Sequence, residues 1–318
     1  MSAENTGMDR RPASGVQHEL RADGYTAVIA SVGASLRTLT FEGRDLVVPF
    51  DADEIRPNYR GATLVPWPNR VVDGRYVLDD VEHRLALTEP SRGHALHGLG
   101  SWLHYDAVEV REDSVELSAV IEPQEGYPWR VGIRTIFVLG RDGLTQSVTA
   151  TNLSSRPAPY GTGPHPYLVA GRGIVDDWTL HLPASTVTLT DGDRLLPGES
   201  VDVAVDAERF DFRTPRVIGD ARIDHAFTAL ERDAAGRATV RLTAAAGTGV
   251  MLSWGEECPW LQIHTADRPG EPADRVGLAV EPMTCAPDAF NNGEGLIMLA
   301  PGGRHTASWT ISAFAESD

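Results

Sequence analysis

The chain has 318 residues, of which 42% are hydrophobic and 23% charged, an ordinary globular composition that permits a large core without metals or disulfides. A formal net charge of −17 argues against nucleic acid and anionic membrane as partners, because both demand clustered lysine and arginine. It also disfavours highly anionic substrates unless a local basic pocket overrides the global field, so a neutral ligand fits best.

Met1 to Arg11 is polar and charged, with no apolar stretch of the kind a signal peptide needs. Residues 1–12 therefore read as a flexible tail and residues 13–318 as one domain. No run of about eighteen apolar residues occurs, so no membrane span is expected.

Short strands dominate from there on. Ala27–Ser31 and Leu36–Phe41 come first. Tyr76 to Leu78, then Asp79-Asp80, then Val81 to Leu85 reads as a hairpin, although Asp-Asp is a weaker turn signal than Asp-Gly. In Ser114 to Ile121 every odd-numbered position is apolar, which puts one strand face on a core and the other in water. Val131–Leu139 and Leu144–Ala150 continue the series. Val240 and Leu242 alternate with Thr239, Arg241 and Thr243, and Val250–Trp254, Val276–Val280 and Thr306–Ile311 complete it. The segments 191–198 and 266–274, rich in Pro, Gly and Asp, read as long surface loops. Frequent glycine and proline leave little room for a long amphipathic helix. The fold class is all-β, a large antiparallel sandwich.

Several familiar chemistries lack their motifs. There is no Gly-rich loop ending in Lys-Ser/Thr, no Gly-x-Gly-x-x-Gly between strand and helix, no Gly-x-Ser-x-Gly elbow and no His-Glu-x-x-His helix. His94 and His97 have a spacing that seats a metal on a helix, but Gly93, Gly98 and Gly100 oppose a helix there and no third ligand stands nearby. No metal and no cofactor are expected. Cys258 and Cys285 have no metal-type spacing; they read as two buried, reduced thiols in a cytoplasmic protein, a pairing that sequence alone cannot decide.

What remains is a set of polar groups in rigid surroundings. Trp67-Pro68-Asn69-Arg70, Leu96-His97-Gly98-Leu99-Gly100, Gly163-Pro164-His165-Pro166-Tyr167, Ile223-Asp224-His225, Trp260-Leu261-Gln262 and Glu281-Pro282 are the segments in question. Prolines on both sides of His165 fix its backbone and suit an imidazole held at a sheet edge. Glu281 follows the apolar strand Val276–Val280 and precedes Pro282, so it reads as a carboxylate at a strand end, where partial desolvation is possible.

Taken in order, with Gly74 and Tyr76 after Arg70 and with Leu299 to Gly302 and Trp309 near the end, these segments resemble the aldose 1-epimerase family over about residues 60–310. The resemblance implies a galactose-mutarotase-like β-supersandwich that interconverts the anomers of a free aldohexose without a cofactor. It implies Glu281 as general base and His165 as general acid, with Arg70, His97, Asp224 and Gln262 binding sugar hydroxyls. Ring opening requires proton removal at O1 together with proton delivery at O5, so Glu281 should begin ionised and His165 protonated, with Asp224 helping to hold the imidazolium. Leu99 and Leu168 stand where many galactose-active members carry glycine and phenylalanine, which leaves the preferred sugar open.

Two alternatives use the same scaffold: a silent sugar-binding or sensing protein, and an epimerase of a phosphorylated or sulfonated hexose, for which Arg92 and Arg172 are candidate cations. A glycoside hydrolase would need a second catalytic carboxylate, with Asp224 beside Glu281 as the candidate pair. The expected partner is a small monosaccharide, the assembly a monomer or homodimer. Trp67 and Trp260 are the candidate stacking aromatics.

Overall fold

The computed structural model describes residues 11–315, so the tail read over residues 1–12 lies outside the described residues up to residue 10. The all-β reading holds. Two large antiparallel sheets dominate, and among the described residues no α-helix exceeds the four residues of Ala207–Phe210 and Ala289–Asn292. Among the described residues no helix is long and apolar enough to cross a membrane.

The larger sheet has nine strands in the order Asp106–Val110, Ser114–Ile121, Val131–Gly140, Gly143–Asn152, Arg304–Ala315, Thr248–Trp254, Ala238–Thr243, Thr179–His181 and Arg216–Val217. The second has six: Tyr167–Leu168, Leu278–Met283, Trp260–His264, Asp224–Leu230, Ala184–Asp191 and Leu196–Asp202. A four-stranded sheet over residues 17–45 precedes them.

Alternation fixes which side of each sheet is dry. Val115, Leu117 and Ile121 are buried, as are Val240 and Leu242, while Arg241 between them is exposed. On the six-stranded sheet Phe227, Leu261, Ile263 and Val280 enter the same apolar cluster as the nine-stranded sheet's inner face. Each such aliphatic side chain, fully buried, contributes about 1.5–3 kcal/mol. Because side chains alternate, this commits Asp224, Gln262, His264 and Glu281 to the opposite face of that sheet.

One polar group inside the core ties it to the site. Gln146 is buried, accepts from Trp309 Nε1 at 3.1 Å and donates to Thr63 Oγ1 at 2.8 Å. Thr63–Leu64 in turn pairs with Gly163–Pro164, the strand that leads into His165.

The hairpin read at Tyr76 to Leu85 is present, Leu78 opposite Val81, with φ of +51° at Asp79 and +61° at Asp80. Aspartate tolerates this left-handed pair, as a type I′ turn requires.

Two readings need correction. Residues 191–198 are not one loop: Ala184–Asp191 and Leu196–Asp202 pair, and only the tip between them is a turn. The second strand is a largely exposed sheet edge and so carries no apolar alternation to betray it. Glu281 does not end a strand; Leu278–Met283 runs through both it and Pro282. Pro282 is tolerated because the neighbour on its other side, Tyr167–Leu168, pairs only with Leu278 and Ala279, so no ladder partner there needs its missing N–H.

Candidate active site

A cavity of about 420 Å³ lies over the polar face of the six-stranded sheet. Three adjacent strands form its floor. Asp224 stands opposite His264, Ala226 opposite Gln262, and Gln262 opposite Glu281, so the polar side chains are set out in two rows one ladder step apart. All six residues singled out from sequence, Glu281, His165, Arg70, His97, Asp224 and Gln262, line this one cavity.

The opposite wall comes from short pieces of chain. His165 sits between the two-residue strands Gly163–Pro164 and Tyr167–Leu168, its N–H donating to Ala62 O at 3.1 Å and its carbonyl accepting from Gly61 N at 2.8 Å. Arg70 pairs with Leu96 in a two-residue ladder. His97 follows, with φ +59° and Gly98 at φ +74°, and the absence of a helix there matches the reading from its glycines.

His165 Nε2 lies 3.5 Å from Glu281 Oε1, and both side chains are almost wholly buried. Among the described residues, His165 Nδ1 and Glu281 Oε2 have no hydrogen-bond partner. Burial pushes His165 down to about 3, and nearby His264 adds to the effect. Burial pushes Glu281 well above its ordinary value, and repulsion from Asp224 reinforces that while Arg70 opposes it. Burial therefore works against the expected starting state, ionised Glu281 with protonated His165: loss of water disfavours the charged form of each and, at His165, outweighs the field of Asp224.

His97 is held in a reciprocal arrangement with Asn69. His97 N donates to Asn69 O at 2.8 Å, while Asn69 N donates to His97 Nδ1 at 3.2 Å. An Nδ1 that accepts leaves the proton on Nε2, so the imidazole offers an N–H to the cavity. Burial, with His165 and Arg70 nearby, keeps it neutral. Ligand-type atoms of His97, His165 and Glu281 lie within 4.8 Å of one another. A cation would need the Nε2 lone pair that this tautomer does not offer, so the trio suits hydrogen bonding and proton exchange better than metal binding.

Charge in the rest of the cavity is paired. Arg70 donates to Glu89 through Nε at 2.7 Å and Nη2 at 3.1 Å, and its Nη2 lies 3.9 Å from Asp224 Oδ2. Gln262 Nε2 donates to Asp224 Oδ1 at 2.7 Å, leaving Gln262 Oε1 buried and without a partner among the described residues. Burial alone would raise Asp224, but His264, Arg70 and Gln262 outweigh it and hold the carboxylate below its ordinary value. A cavity of this kind presents an ionised acceptor, a guanidinium, an imidazole N–H and an amide carbonyl to a ligand rich in hydroxyls.

The aldose 1-epimerase family model matches residues 17–312. The chain belongs to the aldose 1-epimerase family. It is 33% identical over 299 residues to the Escherichia coli protein YihR, covering 94% of this chain and 93% of that one. It is 26% identical over 215 residues to galactose mutarotase of Bos taurus, covering 63% and 61% of the respective chains. An aldose epimerase homologue from C. elegans, 21% identical, superposes with a TM-score of 0.82 over 95% of this chain and 99% of that one, a likeness of fold.

For this aldose 1-epimerase family member the structure also shows what sequence reasoning missed. Glu89 and Tyr59 both line the cavity. Tyr59 lies edge-on to His97 with ring centroids 4.7 Å apart, and it occupies the left-handed region at φ +56° next to Asn58 at +51°. Nothing in the sequence marks it. The aromatic groups at the cavity are Tyr59 and Tyr167, not the tryptophans considered: Trp67 packs in the core against Phe290, and Trp260 lies outside the lining. His94 is structural, with Nδ1 accepting from Asp73 N at 3.2 Å and Nε2 bonded to Arg194 O at 2.9 Å. Of the two candidate cations, Arg92 is at the cavity, whereas Arg172 lines a separate hollow with Arg44 and Ala244. Cys258 and Cys285 are both free and buried.

Proposed function

We propose that the protein is an aldose 1-epimerase acting in the cytoplasm, with Glu281 and His165 as its catalytic base and acid. One observation carries this reading: an unpartnered carboxylate oxygen and an unpartnered imidazole nitrogen belong to side chains 3.5 Å apart in one hydroxyl-binding cavity.

The proton inventory follows. Hydroxyls of a bound pyranose replace some of the solvation that burial removed, and Glu281 can then pass its proton to His165. Glu281 takes the proton from O1 as His165 gives its own to O5; the C1–O5 bond breaks and O1 becomes the aldehyde oxygen. Both side chains end neutral, which is the state that burial favours. The cavity therefore stabilises the pair most at the stage when the open chain is present and turning about C1–C2. Reclosure on the other face returns the protons by the reverse route. Nothing is consumed.

Arg70, His97, Asp224 and Gln262 orient the sugar, the first two as donors, Asp224 as acceptor and Gln262 through its free carbonyl. A silent binder on this scaffold has no use for a buried acid–base pair, which favours the enzymatic reading. A second reading, in which the aldose bears a phosphate or sulfonate, draws support from Arg92 and Arg268 at the cavity wall.

Polarimetry of freshly dissolved α-glucose, α-galactose and a 6-phosphorylated or 6-sulfonated hexose, with and without protein, tests both. Faster equilibration of a neutral sugar supports the first reading, and faster equilibration of the anionic sugar alone supports the second. If none equilibrates faster than in buffer, both fail.

A further inference from the structure

Glu89 lies outside every motif read from the sequence, yet it makes close ionic contacts with two arginines of the cavity, Arg70 and Arg92. It opens a tight turn that closes on itself: Glu89 N donates to His94 O at 3.0 Å, and Arg92 N and Gly93 N donate to Glu89 O at 3.1 and 2.9 Å. The side chain is nearly buried and accepts three charge-assisted hydrogen bonds. Two come from Arg70, as described, and the third from Arg92 Nη1 at 2.7 Å.

A guanidinium gripped along its Nε–Nη2 edge has its plane fixed. No hydrogen bond among the described residues uses the remaining Nη1 of Arg70. The turn carrying Glu89 is itself held from outside. Arg92 Nε donates to Asp193 O and Arg194 Nε donates to Arg92 O, each at 2.9 Å, at the tip of the hairpin whose strands are Ala184–Asp191 and Leu196–Asp202.

We propose that Glu89 is a positioning residue: its carboxylate sets the plane of the Arg70 guanidinium so that Nη1 addresses the sugar, and Arg92, clasped by the hairpin tip, holds Glu89 in place. The inference rests on the epimerase reading of the cavity and adds how its main cation is aimed. An arginine stem has four rotatable bonds, and without the fork Arg70 is free to collapse onto Asp224, whose Oδ2 is already 3.9 Å away. The sugar would then lose a donor and compete for an acceptor.

The test is a double-mutant cycle with Glu89→Gln, Arg70→Met and the pair together, read by polarimetry as kcat and KM separately. Glu89→Gln should raise KM at least tenfold and change kcat less, Glu89→Asp should recover part of the loss, and the double variant should match Arg70→Met within about twofold. Effects that multiply in the double variant would show that Glu89 acts by another route, and the proposal falls. A second readout needs no turnover: the Nε–H NMR resonance of Arg70 should be protected from exchange in the wild type and lose that protection in Glu89→Gln. Protection unchanged by the substitution also overturns the proposal. If the wild type equilibrates no aldose, the epimerase reading fails by itself and the resonance still decides the role of Glu89. Should Glu89→Gln fold poorly, Glu89→Asp keeps the charge but shortens the reach; a smaller KM rise and a partial loss of protection are expected of it, and no change in either overturns the proposal.

Discussion

Gln262 and Glu281 stand directly opposite each other in the ladder between Trp260–His264 and Leu278–Met283. Cross-strand partners keep their Cβ atoms about 4.5–5.5 Å apart, so the free amide oxygen of Gln262 and the free carboxyl oxygen of Glu281 address the same small volume. Ala226, next in the row, has only a methyl group and leaves that volume open. Gln262 thus steadies Asp224 with its amide nitrogen, and in the proposed function its oxygen serves the ligand.

Replacing Gln262 by leucine removes both contacts while keeping the volume. One hydrogen bond to a sugar hydroxyl is worth about 0.5–1.5 kcal/mol, and one to a carboxylate about 1.5–3. The expected result is a KM raised at least about tenfold with kcat reduced less, measured by polarimetry across a substrate series. A leucine variant with unchanged KM would remove Gln262 from the binding set.

Glu281→Gln and His165→Asn should each slow anomer interconversion by about 10²-fold or more, because each deletes one half of a paired proton transfer. The two substitutions should be far from additive, since a lone base or a lone acid gains little without the other. Neither should lower the melting temperature much. Burial already disfavours the charged form of both wild-type groups, and glutamine and asparagine are neutral groups of similar shape. A large loss of stability in Glu281→Gln would show that the carboxylate's charge holds the fold together there.

The fold was legible because alternation is a local signal. Ser114 to Ile121 shows its buried face in eight letters, and the order of the motif segments located all six proposed site residues in one cavity. Two kinds of information were out of reach. Tyr59 and Glu89 reach the cavity from turns, where backbone conformation and not residue period decides what points where. The proton distribution depends on how much water the cavity excludes, a property of the assembled walls that no single segment carries. Pro282 misled for a related reason: proline ends a strand only where a neighbour needs its N–H.

Gly98 is a position beside the site where the backbone leaves almost no room. It has φ +74°, and a Cβ there would meet Val65 O at 2.1 Å, the same carbonyl that accepts from Leu99 N at 2.7 Å and Gly100 N at 2.9 Å. Gly98→Ala therefore combines a disfavoured backbone region with a clash against backbone. A cost of about 1–3 kcal/mol is expected, seen as a lowered melting temperature. Because His97 precedes this turn and owes its tautomer to Asn69, the variant should also bind sugar more weakly at temperatures where it remains folded. Stability equal to wild type would show that the turn can open without consequence.

Acid should destabilise this protein through its buried histidines. Burial lowers His97 and His165, the latter to about 3, and lowers His225 to about 4. Unfolding releases each to its ordinary value of 6.5, so below that pH the unfolded chain binds more protons and stability must rise with pH. Their contribution is complete above about pH 6.5 and is lost as the pH falls toward their lowered values, about 4 for His225 and about 3 for His165, by up to about 1.4 kcal/mol per pH unit for each group. Glu281 runs the other way. Its raised value makes the folded state the better proton binder above about 4.5, so its contribution is present at low pH and is lost as pH rises. His18, His83, His181 and His305 are lowered as well, and together the histidines outnumber the raised carboxylates Glu281 and Asp288, leaving a net loss between pH 6.5 and 4. The melting temperature should fall through that window, His165→Asn should flatten the slope by one proton, and Glu281→Gln should steepen it. A wild-type melting temperature that stays level from pH 7 to pH 5 would mean that these imidazoles reach water in the folded state, and the dry cavity on which the proton exchange depends would go with it.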